Sequence, residues 1–295
     1  MLGPATMIVA LVLLSAFLHA LWNAWLRLES DKDRALMAAV VVATLFAAVV
    51  AGVRWELGAA PFASLAGVGF TVLAGVMEAS YFATLAKAMG LGRLGVVYTI
   101  SRGGAVLVVW PLSIALFGEL ATLPALAGSA VVVGGLALSG LGGSRGGAGG
   151  ERRDRRGAMG WAVACAMSIA GYHLAYTAAL REAVNPSACF ALSLGVSAAI
   201  NGLRLGAARG GGGETIGALV RRRWPWLVVM GLMCGGSFLI LMEALARGGA
   251  GYVLTLRNTS VLFAVGMAWR IGERPRRAEV AGAALVAAGA TLMAL

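Results

Sequence analysis

The chain has 295 residues, of which 60% are hydrophobic and 13% charged, and its mean hydropathy is +0.85. This composition excludes an ordinary soluble domain and indicates a protein that crosses a membrane several times. The formal net charge of +11 could suggest a nucleic-acid partner. However, nearly all of the basic residues lie in stretches between apolar runs, where they suit a cytoplasmic face that contacts anionic lipid headgroups. We therefore expect membrane lipids as partners and no nucleic acid.

Ten apolar runs follow one another along the chain, each about long enough for a helix to cross a hydrocarbon core of about 30 Å. The sequence predicts an all-α integral membrane protein with ten transmembrane helices, at residues 6–26, 35–53, 62–86, 94–117, 123–141, 158–180, 187–207, 224–246, 251–269 and 278–295. Two stretches rich in glycine and charge, 142–157 and 208–223, are predicted as flexible connectors because they cannot bury enough apolar surface. The first of them is a linker at the midpoint.

The halves on either side of this linker, 1–141 and 158–295, resemble each other. A shift of 154 or 155 residues aligns 125–138 with 279–292, Arg102 with Arg257, and His19 with His173. Since five spans is an odd number, the second repeat must cross the membrane in the opposite sense to the first. Basic residues favour the loops after spans one and three in the first half, but those after spans seven and nine in the second. We predict two inverted five-helix repeats, with a cytoplasmic linker and both termini extracytoplasmic.

Three segments resemble a known family: SAFLHALWNA at 15–24, YTISRGGAVLVVWPLSIALFGE at 98–119, and LRNTSVLFAVGMAWRIGE at 256–273. Together they are similar to the drug/metabolite transporter superfamily in its ten-helix, EamA-type form. The resemblance implies a bacterial-type inner-membrane protein with a central cavity between its halves that opens alternately to either side. It also implies that helices one, three, four, six, eight and nine line this cavity, while five and ten lie at the periphery.

Three charged residues stand out because they lie away from the ends of predicted spans: Glu78, Arg102 and Arg257. A charge at mid-bilayer costs about 2.5 to 3.5 kcal/mol, so it usually marks a pathway or a buried ion pair. Two guanidinium groups on opposite walls of one cavity would suit a carboxylate or a phosphate. Alternatively, each arginine holds helices together by pairing with an acid or with backbone carbonyls. Glu78 is the candidate for proton coupling, and a permanent ion pair with Arg102 is its alternative.

Aromatic and polar residues share helix faces with these charges. His19 lies on one face with Trp22 and Asn23, and His173 lies on one with Tyr176. Either histidine could carry a proton or contact substrate, or it could simply be hydrogen-bonded to a neighbour in its helix. The predicted substrate-binding residues are His19, Trp22, Asn23, Tyr81, Tyr98, Arg102, Tyr172, His173, Tyr176, Arg257 and Asn258.

Other prominent residues have simpler explanations. Glu119 and Glu273 each follow a glycine at a helix hairpin, where a carboxylate favours the amino end of the next helix. Four tryptophans are expected at the membrane interface or in packing: Trp110, Trp224, Trp226 and Trp269. Motifs of catalysis or metal binding are missing, so we expect no enzyme activity, cofactor or metal.

The expected function is secondary transport of a small organic metabolite by alternating access, with proton coupling as a possible driving force. Two cavity arginines favour an amino-acid-like or otherwise anionic substrate, and export is the preferred direction. A flippase for a lipid-linked polar head group is the alternative, and a membrane enzyme acting on lipid phosphates is a weaker one. Substrate, direction, coupling ion and oligomeric state are not determined by these patterns.

Overall fold

A computed structural model describes residues 4–118, 122–141, 149–207, 215–247 and 250–293. Within these ranges all regular secondary structure is helical, which confirms the prediction of an all-α protein. The helices are α1 (Pro4–Leu28), α2 (Lys32–Glu56), α3 (Leu65–Leu91), α4 (Leu94–Phe117), α5 (Leu123–Leu141), α6 (Gly149–Arg181), α7 (Pro186–Ala207), α8 (Ile216–Arg247), α9 (Ala250–Arg257), α10 (Ser260–Arg270) and α11 (Arg277–Met293).

Seven segments of the described chain are long and apolar enough to cross a membrane. They belong to the first four helices and to α6, α7 and α8, where they are 22 to 32 residues long. The protein is therefore a multi-pass integral membrane protein. The fifth and tenth predicted spans are the shorter helices α5 and α11, with 19 and 17 residues.

The ninth predicted span, 251–269, is not one helix. It is divided into α9 and α10 by a turn at Asn258 and Thr259. Both the backbone amide and the hydroxyl of Thr259 donate to the carbonyl of Leu256, at 3.2 and 2.8 Å. Short polar side chains of this kind compete with helical hydrogen bonds, which is why the helix stops here. The break places Arg257 at the carboxyl end of a short helix, where a positive charge is favoured.

Two stretches predicted as connectors are partly helical. Helix α6 begins at Gly149, within the linker predicted at 142–157, and α8 begins at Ile216, within the connector predicted at 208–223. Arginine, alanine and leucine are good helix formers, so charge and glycine alone did not prevent helix formation here. Helix α8 kinks at Arg223, two residues before Pro225. Residues 142–148 and 208–214 lie outside the described ranges.

The helix pairs that pack together follow a regular scheme. Helix α1 packs on α8, α9 and α10, while α3 and α4 both pack on α6. Helix α2 packs on α7 and α8, and α7 also packs on α3. These contacts join the first five helices to the last six.

Helices α5 and α11 cross at two pairs of glycines. A Cβ atom on Gly128 would lie 2.5 Å from the carbonyl oxygen of Gly289, and one on Gly282 would lie 2.6 Å from that of Gly135. Because low residue numbers in α5 meet high ones in α11, the two helices are antiparallel. Small residues at these four positions therefore let the two backbones approach closely.

Ion pairs tie the two halves together at the end of the bundle where α4 and α11 begin, here termed the basal end. Arg27 Nε pairs with Glu273 Oε1 at 2.9 Å, and Arg93 Nη1 pairs with Glu279 Oε1 at 2.8 Å. These four residues form the basal ion-pair cluster. Glu273 also accepts a hydrogen bond of 2.9 Å from the amide of Leu94, the first residue of α4. The expectation that Glu273 stabilises the amino end of the next helix in sequence, α11, is therefore wrong, because it accepts from the amino end of α4. Glu119 lies outside the described residues.

Candidate functional site

All the residues predicted to form a site are buried in the bundle, with exposed fractions of at most 4%. They come from α1, α3, α4, α6 and α9 and from the turn after α9. They are His19, Trp22, Asn23, Glu78, Tyr81, Tyr98, Arg102, Tyr172, His173, Tyr176, Arg257 and Asn258. Helices that are distant in sequence therefore bring these polar groups away from lipid, into the interior of the bundle.

His19 lies between the two buried arginines. Arg257 Nη2 donates to His19 Nδ1 at 3.0 Å, and Trp22 Nε1 donates to the same nitrogen at 3.2 Å. Arg102 Nη2 contacts the other ring nitrogen, Nε2. A neutral imidazole has only one acceptor nitrogen, so when Nδ1 accepts, Nε2 carries the proton and faces a second donor. The imidazole can therefore satisfy Arg257 or Arg102, but not both.

The remaining contacts of the two guanidinium groups are aromatic. Arg102 lies 5.8 and 5.7 Å from the rings of Tyr81 and Tyr98, and its Nη2 donates to the Tyr81 hydroxyl at 3.4 Å. Arg257 lies 4.6 Å from the ring of Phe238, and its Nε and Nη1 have no hydrogen-bond partner in the described chain. Within those residues neither arginine pairs with an acid or a backbone carbonyl, and their polar contacts are with His19 and Tyr81.

Both arginines face one cavity. One wall is a face of α4, on which lining residues recur at steps of three and four from Arg102 to Ser113. The other walls come from α6, α9 and the turn after α9. The lining residues are Arg102, Ala105, Val106, Val109, Trp110, Ser113, Ile169, His173, Leu254, Arg257 and Asn258.

Only part of the predicted site lines this cavity: Arg102, His173, Arg257 and Asn258. The expectation that six helices line the cavity is too broad. Residues of α1, α3 and α8 do not line it but contact the residues that do. The two histidines that the repeat aligns, His19 and His173, do not share the cavity lining. His173 lines the cavity, whereas His19 lies behind the arginines and touches both of them.

An aromatic layer supports His173. Its ring stacks on Tyr172 with 4.3 Å between centroids, and Tyr172 in turn contacts Tyr81 and Tyr176 at 5.5 and 5.7 Å. His173 Nδ1 lies 2.8 Å from the carbonyl oxygen of Ile169, which can only accept, so Nδ1 carries the proton. The Nε2 atom of His173 has no partner in the described chain and is left as an acceptor.

Glu78 lies in a separate polar group between α3, α6 and α7. Ser193 Oγ donates to Glu78 Oε2 at 3.2 Å, and the Tyr176 hydroxyl is 2.7 Å from the same Ser193 Oγ. Glu78 Oε1 is buried without a partner among the described residues. The alternative of a permanent ion pair with Arg102 is not observed there.

Sequence reasoning missed three residues near the site. Trp110 was expected at the membrane interface or in packing, but it lines the cavity. The three-and-four spacing from Arg102 along α4 could have found it. Ser193 and Phe238 become site residues only through contacts between distant helices, and neither lies in a recognisable motif. Of the other tryptophans, Trp226 packs on Trp25 as expected, with 4.4 Å between ring centroids.

Comparison with known proteins gives one family and one fold. Residues 156–295 match the EamA-like transporter family. A solved crystal structure, described only as that of a protein, is 21% identical and aligns with a TM-score of 0.66 over 98% of this chain and 96% of that one. At this identity the likeness shows the fold alone. No curated protein matches the sequence. The family match over the second half of the chain, together with its apolar helices, supports membership of the drug/metabolite transporter superfamily in its EamA-type form.

Proposed function

We propose that the protein is a secondary transporter that moves a small organic anion by alternating access, with the anionic group bound between Arg102 and Arg257. The main observation behind this proposal is that two buried guanidinium groups line the same cavity. Their hydrogen bonds in the described chain go to one shared imidazole and to the Tyr81 hydroxyl, and Arg257 Nε and Nη1 have no partner there. Buried donors and charges without partners are costly, and an oxyanion would satisfy both arginines at once.

The packing scheme supports two inverted five-helix repeats. A two-fold axis in the membrane plane would exchange the halves, so that α3 on α6 corresponds to α1 on α8. It would equally relate α4 on α6 to α1 on the divided helix α9–α10. The reciprocal glycine contacts between the antiparallel helices α5 and α11 fit the same axis. Such a pair of repeats can expose one central site to either side in turn.

In this proposal the basal end is cytoplasmic, because most basic residues of the sequence cluster in the loops at this end. The basal ion-pair cluster then closes the cytoplasmic side, and the cavity extends from Arg102 towards the extracytoplasmic end of α4. The protein is assigned to a bacterial-type inner membrane with both termini outside, and the described state faces outward. Release to the outside suits export.

Proton coupling is assigned to Glu78. Its carboxylate is buried and hydrogen-bonded to Ser193, and it lies outside the cavity lining. A proton that binds there would change the charge of the bundle core without occupying the substrate cavity. This arrangement would let one site bind the proton and another bind the anion.

Counterflow in proteoliposomes tests the anion site. Vesicles preloaded with a mixture of organic acids should accumulate labelled acid when they contain the wild-type protein. Arg102→Ala and Arg257→Ala should each lower the rate by at least about tenfold, since a charged hydrogen bond contributes about 1.5 to 3 kcal/mol. Arg270→Ala, at an exposed arginine that ends α10, is the matched control and should transport normally. Normal transport by both site variants would refute the proposal.

A further inference from the structure

The cavity has a charged end and an apolar body. Arg102, His173, Arg257 and Asn258 supply polar groups at one end. From Arg102 the lining face of α4 continues through alanine, two valines and a tryptophan to Ser113, eleven residues or about 16 Å along the helix axis. A ligand that places a charged group against the arginines must therefore lay the rest of its body along an apolar wall.

The polar end is built almost entirely from hydrogen-bond donors. The guanidinium groups of Arg102 and Arg257 are 4% and 2% exposed, and Asn258 Nδ2 is a buried donor without a partner in the described chain. An amino acid bound there by its carboxylate would hold its ammonium group next to two guanidinium groups in a site poor in water, where like charges repel strongly. The unpartnered acceptor, His173 Nε2, suits a neutral hydroxyl donor.

We infer that the anion carries an apolar body and no cationic group, so the substrate class is an apolar organic acid and not a zwitterionic amino acid. This inference rests on the proposed function, because it assumes that the cavity between Arg102 and Arg257 is the substrate site. The sequence predicted a substrate that is amino-acid-like or otherwise anionic. Of these two classes, the inference keeps the anionic one and excludes the amino acids. A neutral substituent beside the carboxylate, such as a 2-hydroxyl group, fits the donor-rich end.

Four six-carbon compounds test, one at a time, the need for the negative charge, for the apolar body and for a neutral substituent. The first, 2-hydroxy-4-methylpentanoate, has the charge, the apolar body and a neutral substituent. Leucine replaces the hydroxyl by an ammonium group, gluconate replaces the apolar body by hydroxyls, and 2-hydroxy-4-methylpentanamide removes the charge. Calorimetric titration of the purified full-length protein with each compound should show the first bound at least about tenfold more tightly than the other three, as expected when a site rejects a mismatched group.

The outcomes separate this inference from the proposed function. If leucine or gluconate binds as tightly as the hydroxy acid, and that binding is lost in Arg102→Gln and Arg257→Gln, the substrate class is wrong but the anion site stands. If the amide binds as tightly as the acid, if both arginine variants bind the acid normally, or if none of the compounds binds, the proposed site itself is wrong.

A specificity variant provides a second readout. Val109→Thr keeps the shape of a residue that lines the cavity but adds a hydroxyl to the apolar wall. It should weaken binding of the hydroxy acid several-fold and narrow its advantage over gluconate. Val163→Thr is the matched control, because Val163 is 53% exposed on α6 and outside the cavity lining. An unchanged preference in Val109→Thr would contradict the assignment of the apolar wall.

Discussion

At the scale of single residues, His19 contacts both of the buried arginines. Its Nδ1 accepts from Arg257 and Trp22, and its Nε2 faces Arg102. The imidazole does not line the cavity, so it acts by positioning the guanidinium groups and not by touching the substrate. This positioning role explains why the polar side chain of His19 lies in the middle of the apolar helix α1.

His19→Phe tests this positioning role. The variant keeps an aromatic ring but removes the acceptor for Arg257, and loss of a charged hydrogen bond of about 1.5 kcal/mol corresponds to about tenfold weaker anion binding. We expect KM to rise by about this factor with little change in kcat. His19→Gln restores an acceptor and should recover part of the loss. A variant in which kcat falls and KM does not would contradict a positioning role.

Glu78→Gln tests proton coupling. Because glutamine cannot release a proton, a gradient of pH should no longer drive uphill accumulation, whereas exchange of substrate at equal pH should continue. Glu243→Gln is the control, since Glu243 pairs with Arg54 and Arg247 at the other end of the bundle and lies outside the cavity lining. Undiminished pH-driven accumulation in Glu78→Gln would remove the coupling assignment.

At the scale of elements, the division between α9 and α10 places Arg257 in the cavity. Replacing both Asn258 and Thr259 with alanine removes the hydrogen bond from the Thr259 hydroxyl to the carbonyl of Leu256 and favours a continuous helix. Transport should fall by at least an order of magnitude, because displacing a binding group by about 1 Å can cost about 10²-fold. The thermal midpoint should be unchanged or higher.

A control substitution at another threonine distinguishes the effect of the helix break from the effect of losing a threonine hydroxyl in any helix. Thr291 donates to the carbonyl of Ala287 at 2.9 Å within α11, outside the site, and Thr291→Ala should leave transport intact. Loss of transport together with a large fall in thermal midpoint in the alanine pair would point to misfolding instead of a displaced arginine.

The crossing of α5 and α11 makes a sharp prediction about two glycines. A Cβ on Gly282 would lie 2.2 Å from Ser139 Oγ and 2.6 Å from the carbonyl oxygen of Gly135, whereas one on Gly134 meets nothing within 4 Å. Gly282→Ala should therefore lower the thermal midpoint, since the two backbones must separate. Gly134→Ala should keep or raise it, because alanine stabilises a helix interior by up to about 1 kcal/mol relative to glycine. Equal midpoints would contradict the close crossing.

Much of this architecture is predictable because it follows local rules. The length of the apolar runs predicts the helices, and the internal similarity predicts that the glycines of α5 and α11 are equivalent. The break at Asn258 was missed, since two small polar residues barely alter the hydropathy of an apolar run. The partner of Glu78 could not be found, because Ser193 is 115 residues away and a lone serine in a helix carries no signal.

At the scale of the whole molecule, a cavity lies near one end of α4 and ion pairs between the halves lie at its other end. Glu273 joins Arg27 to the first amide of α4, and Glu279 holds Arg93. Opening the basal end requires these contacts to break, so the cluster is a gate in the proposed cycle. Its partly exposed ion pairs are individually weak, which suits a gate that opens reversibly.

The central claim is a cavity that binds an organic anion and is open to one side at a time. Reactivity of a single cysteine tests it most directly: Val106→Cys in the cavity, with Cys165, Cys189 and Cys234 replaced by alanine. A membrane-impermeant thiol reagent should modify it rapidly from outside and slowly from the cytoplasm, and bound organic acid should protect it. Adding Glu273→Gln should raise the cytoplasmic rate. Equal rates from both sides in the protein with an intact gate, or no protection by any organic acid, would contradict the account.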